Sequence, residues 1–188
     1  MARLPDVDPT TNPDIADAFA RTEASRGFVS NLLRVIAHSP AGLRAHAAYG
    51  HQMRFEVDLT EWQRELTICA TVRAVPYAWV HHGNLLRQLG MSDAQMDALH
   101  AGRVPPGLSE ADSALCTFIF AFAAVRGVSQ PVLDALRKHF RDNQIIDMAL
   151  LSAYFLGGAG IITAFEPEIE TPDRLQLELD WQRKRLQG

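Results

Sequence analysis

The residues best placed to do chemistry lie in one window, Glu65 to His82. On a helix opened by Pro76, Trp79, His82 and Leu86 fall at i, i+3 and i+7 and share a face. Tyr77 and His81 stand at i and i+4 on the neighbouring face, with His81 the solvent-side or partner-facing member of the His81-His82 pair. Glu65 belongs to the preceding helix, which the pattern packs against this one. A carboxylate facing an imidazole fixes its tautomer, and a ring so held can give or take a proton near neutral pH. Spacing alone does not make this a catalytic pair, because a single histidine on a helix is more often structural. Tyr77 and Trp79 read equally as core or as the wall of a pocket. Cys69 and Cys116 read as small core residues.

Other chemistries find less support. The seven histidines include no H-E-x-x-H, and His46 and His51 are spaced off one helical face, so no metal is expected. The two cysteines are far apart and outside any C-x-x-C, which excludes a disulfide framework and disfavours a thiolate zinc site. Gly157-Gly158-Ala159-Gly160 lacks both a preceding strand and the G-x-G-x-x-G spacing of a dinucleotide loop. No cofactor is expected.

The elements that would position these residues are helices. No stretch alternates with period two between hairpin turns. Residues 1–13 read as an extended arm, followed by helices over 14–26 and 31–38. Ser39-Pro40 predicts an N-cap with proline at N1 and a helix to about Gln52. Thr60-x-x-Gln63 is a capping box for a helix over 61–73. Pro76 restarts a helix that ends at Gly90, and Ser92-x-x-Gln95 is a second capping box. Ser109 opens a Phe- and Ala-rich helix, Ser129 another, and 143–164 is a long apolar one. A polar helix over 173–187 closes the chain. The sum is an all-α bundle of about nine helices in a single domain, 1–188.

Length and charge narrow the function classes. A chain of 188 residues suits one domain, and a net charge of -4 without a Lys/Arg block gives no reason to expect nucleic acid. The N-terminus has no apolar signal segment. The apolar run from Leu150 to Phe165 is shorter than the roughly 20 residues a membrane span needs. It reads as a buried helix, and a cytoplasmic protein away from membranes is expected.

The ordered set Arg64-Glu65-Leu66, Tyr77-x-Trp79-x-x-His82, Asn31 to Pro40, Gly90-Met91-Ser92 and Gln144-Ile145-Ile146-Asp147 resembles the carboxymuconolactone decarboxylase family. The resemblance covers roughly residues 28–165. It implies an alkylhydroperoxidase D-like helical bundle and a homo-oligomer, trimeric or hexameric. It implies His82 and Glu65 as catalytic residues acting on a small lactone or carboxylic acid from aromatic catabolism. Tyr77, Trp79, His81 and Arg73 are then the substrate-binding candidates, with Arg64 an alternative cation for a substrate carboxylate. The family's peroxidase-like branch carries C-x-x-C, and the corresponding places here hold Val75 and Ala78, so dithiol peroxidase chemistry has no nucleophile. The interval from Glu65 to His82 is shorter than the family's, which predicts a tightened turn near Ala74-Val75. A different carbon-acid reaction on the same pair, or a non-catalytic ligand-binding oligomer, remains open on the sequence.

Overall fold

The computed structural model describes residues 3–187, so the first two residues of the expected arm lie outside it. Ten α-helices and one short 3-10 turn are present among these residues, and no strand. The all-α architecture expected from the sequence is the one observed, with ten helices rather than about nine. The helices are α1 (Pro13–Arg26), α2 (Asn31–Ile36), α3 (Pro40–Phe55), α4 (Glu61–Val72), α5 (Pro76–Gln88), α6 (Asp93–His100), α7 (Glu110–Ala123), α8 (Gln130–Arg137), α9 (Asp142–Phe165) and α10 (Pro172–Gln187).

The chain divides into two compact units. One comprises the segment up to His51 together with the segment from Gly160. Its core gathers Ile15, Ala18, Phe19, Val29, Leu33, Ala37 and Leu43. The arm is not wholly extended: Pro9–Thr11 forms the 3-10 turn, capped by the Asp8 carboxylate, and Val7 packs on the core. Arg3 donates to the carbonyls of Phe165 (3.1 Å, from the main chain) and Ala164 (3.0 Å, from the side chain). The buried Glu170 carboxylate accepts from the Asn31 amide at 2.6 Å, near the start of α2.

The other unit, Gln52–Ala159, is built around α4, which packs on α5, α6 and α7. Every residue from Arg64 to Val72 is buried. A helix enclosed on all sides needs firm ends. At its start the Thr60 hydroxyl accepts from the Gln63 amide (3.2 Å) while the Gln63 side chain accepts from the Thr60 amide (3.0 Å). The Ser92–Gln95 box caps α6 in the same way. Gly90 takes φ +111 just beyond α5, a conformation that favours glycine.

Two expectations about helices are corrected. α3 continues past Gln52 to Phe55. Over 24 residues, α9 is long and apolar enough, by length and composition, to cross a membrane, and only 33% of its most apolar window is buried. It is therefore not the buried helix expected. Ile145, Met148, Leu151 and Ser152 turn inward, while Ile146 and Leu150 are exposed.

Candidate active site

The turn between α4 and α5 decides which side chains meet. α4 ends at Val72, and Val75 donates back to the Val72 carbonyl at 2.8 Å, so Arg73–Val75 is all that separates the two helices. Val75 precedes a proline and is extended (φ −109, ψ 100), and Pro76 at the first helical position starts α5 without a side-chain cap. This is the tightened turn expected near Ala74-Val75. At about 1.5 Å per residue, Glu65 lies roughly 10 Å before the end of α4 and His82 roughly 9 Å after the start of α5. In a hairpin of two packed helices these heights coincide.

The carboxylate and the imidazole accordingly meet. His82 Nδ1 lies 2.8 Å from Glu65 Oε2, with both side chains buried. An ionised carboxylate can only accept, so Nδ1–H donates and the neutral ring carries its lone pair on Nε2. Nε2 has no hydrogen-bond partner among the described residues. It is the nitrogen left for proton transfer.

A buried carboxylate needs a compensating charge. Arg54, in the last turn of α3, supplies it, with Nη2 3.8 Å from Glu65 Oε1 and the arginine side chain 8% exposed. The sequence reading missed this residue. Phe155 of α9 was also missed. Its ring meets that of His82 edge to face, centroids 4.8 Å apart and planes at 88°, and is backed by Tyr154. One helical turn earlier in α9, the Ser152 hydroxyl lies 2.9 Å from the Thr71 hydroxyl of α4, which also donates to the Thr67 carbonyl. These bonds set α9 against the hairpin.

The other candidates are distributed around the pair. His81 is buried, not solvent-facing, and its ring lies against Tyr77 at 4.9 Å. Trp79 packs edge-on against His100 of α6 at 4.9 Å, not against His82. Arg73 is turned to other work: its guanidinium stands 5.3 Å from the Phe120 ring centre and donates to the Ala70 carbonyl. Arg64 is buried and ion-paired with Glu61. Neither Arg64 nor Arg73 forms an ion pair with Glu65.

Thiol chemistry is absent from the pair's surroundings. The places of a C-x-x-C hold Val75 and the buried Ala78. Cys69, one turn beyond Glu65, is fully buried, and that burial, reinforced by the Glu65 charge, pushes its thiol well above the ordinary value. Burial, with Asp112 nearby, pushes Cys116 up to about 12. Both are protonated and inert at neutral pH. Among the described residues no group of three or more His, Cys, Asp or Glu side chains could hold a metal ion.

No protein-family model and no curated protein sequence matches the chain. Solved structures do. A peroxidase-related protein from Ralstonia eutropha JMP134, described as an alkylhydroperoxidase AhpD core, is 24% identical over 90% of this chain and 92% of its own, with a TM-score of 0.78. A second peroxidase-related protein, from Silicibacter sp. TM1040, is 21% identical over 90% and 92%, with a TM-score of 0.72. The debrominase Bmp8, in complex with 2,3,4-tribromopyrrole, is 17% identical over 93% and 94%, also at 0.72. At these identities the likeness establishes the fold: the chain has the alkylhydroperoxidase AhpD-like fold.

Proposed function

We propose that this chain is an enzyme moving protons on a small unsaturated carbon acid, and that its reaction is decarboxylation of a lactone acid of the carboxymuconolactone type. The observation that carries the reading is the buried Glu65–His82 bond at 2.8 Å, which leaves Nε2 unspent. In the proposed reaction the bond between the ring carbon and the substrate carboxylate breaks and CO2 departs. The electron pair left on carbon delocalises through the adjacent C=C bond to the lactone carbonyl. Protonated His82 delivers the Nε2 proton to carbon and regains one from solvent, while Glu65 holds the ring through Nδ1 and stabilises the imidazolium.

Three features support a substrate with a flat, unsaturated ring. The Phe155 ring stands on His82. Tyr77 and His81 form a second aromatic pair on the same helix. A neighbour of the same fold holds a small halogenated heteroaromatic ring. Peroxidase chemistry on this fold lacks a thiolate here, both cysteines being buried and protonated.

The reading includes a cytoplasmic homo-oligomer, trimeric or hexameric, that works without a cofactor. The exposed apolar residues Ile146 and Leu150 of α9 suit a subunit interface.

The test is ultraviolet-monitored turnover of a 4-carboxymuconolactone-type acid with CO2 trapped in parallel, for wild type and His82→Ala. Substrate loss with matching CO2, reduced roughly 10²–10⁴-fold by the substitution, is expected. Unchanged turnover by folded His82→Ala would remove the assignment. Saturable binding without turnover would favour the ligand-binding reading of the same site.

A further inference from the structure

The unit formed by the segment up to His51 and the segment from Gly160 carries a cavity of about 420 Å³. That volume lies in the range of small-molecule sites. Its walls are apolar in large part: Phe19 and Phe28 are buried, and Leu177 of α10 is 52% exposed at its edge.

Two arginines line the same cavity, Arg34 of α2 and Arg174 of α10. Arg34 stands over the Phe19 ring at 5.7 Å, an arrangement that leaves its N–H edge unspent. Arg174 reaches the Val29 carbonyl at 3.5 Å, the outer limit of a hydrogen bond. Neither forms an ion pair among the described residues. Arginine stays charged at any physiological pH, and its planar fork matches a carboxylate. Glu23 also lines the cavity, so the three charges sum to one positive. A larger cavity of about 580 Å³ in the same unit offers no such opening, because its Arg21 and Arg44 are already paired with Asp17 (2.9 Å) and Asp14 (3.3 Å).

We propose that the Arg34–Arg174 cavity is a binding site for a small aromatic monocarboxylate, with the ring against Phe19, Phe28 and Leu177 and the carboxylate on the two guanidinium groups. The cavity shares no lining residue with the Glu65–His82 pair, and the proposal does not depend on that pair's chemistry.

The experiment is isothermal titration calorimetry of the full chain with 2-naphthoate, and with uncharged 2-naphthamide as control. Wild type is expected to bind the carboxylate saturably, the amide far more weakly, and the carboxylate less tightly as salt rises. Arg34→Gln and Arg174→Gln each remove one charged hydrogen-bond donor to the carboxylate, and each is expected to weaken binding roughly ten- to a hundredfold. Arg174→Lys, which keeps the charge, falls in between. Circular-dichroism melts confirm that each variant is folded. His82→Ala is expected to bind as wild type does, which separates this site from the proposed active site. The proposal is overturned by absence of saturation, by equal binding of the amide, or by binding that His82→Ala abolishes and both arginine variants keep.

Discussion

Arg54 stands 3.8 Å from the Glu65 carboxylate, and the two side chains are 8% and 2% exposed. The separation is too long for a direct hydrogen bond, so the arginine acts as a charge that lets Glu65 stay buried while its other oxygen holds His82. Removing one partner leaves the other charge stranded. Arg54→Met and Glu65→Gln should each destabilise the fold by about 3–5 kcal/mol, and the double substitution should cost much less than the sum. Chemical denaturation of the four proteins measures the coupling. Additive effects would show that the two charges do not compensate each other.

The cysteines give a direct check on the exclusion of thiol chemistry. Burial pushes Cys116 up to about 12 and Cys69 well above its ordinary value, so almost no thiolate exists at pH 8. Native protein should resist iodoacetamide at that pH and should take up two labels per chain once unfolded in guanidinium. Mass spectrometry counts the labels. Fast labelling of Cys69 in the native state would return a nucleophile to the neighbourhood of Glu65.

Much of the site's framework was legible in the sequence. The Thr60–Gln63 box and Pro76 bracket the hairpin through local rules that tertiary context rarely overrides, which puts Glu65 and His82 on adjacent helices. Their contact was not legible, because it depends on how tightly residues 73–75 turn. Arg54 was not legible, because the expected helix stopped at about Gln52 and left it in the following connection, where a basic residue is ordinarily explained by solvent. Phe155 was hidden for another reason. It lies in a helix apolar on all faces, where no stripe marks the side that turns inward, and the same uniformity made α9 read as buried. Trp79 fell on the expected face of α5 but found a nearer partner in His100, since periodicity assigns a face and not a neighbour.

Acid should act through Asp58. This exposed carboxylate accepts from Asn143 and pairs with Arg141, which together hold it below its ordinary value of 3.8. A depressed folded-state value means that the stabilisation is complete above the unfolded-state value and is lost as pH falls through the folded one. Asp58→Asn should therefore melt below wild type at neutral pH, with the gap closing below about pH 4. Melting curves across pH 2 to 7 test this. A gap that persisted unchanged at the acid end would assign the effect to packing instead of charge.

Gly27 ends α1 with φ +82, and a Cβ built there would lie 3.3 Å from Trp181 Cβ of α10. Two penalties therefore fall on Gly27→Ala: the left-handed backbone, about 1–2 kcal/mol, and the displacement of a packed tryptophan. Gly107 separates them. It has a similar φ of +74 with nothing within 4 Å of its would-be Cβ, so Gly107→Ala carries the backbone penalty alone. Gly27→Ala should be the more destabilising of the two, and its Trp181 fluorescence should shift in the native state where that of Gly107→Ala does not. Equal destabilisation would mean that Trp181 moves aside freely, and that the glycine is required by the backbone turn and not by the close approach of α10.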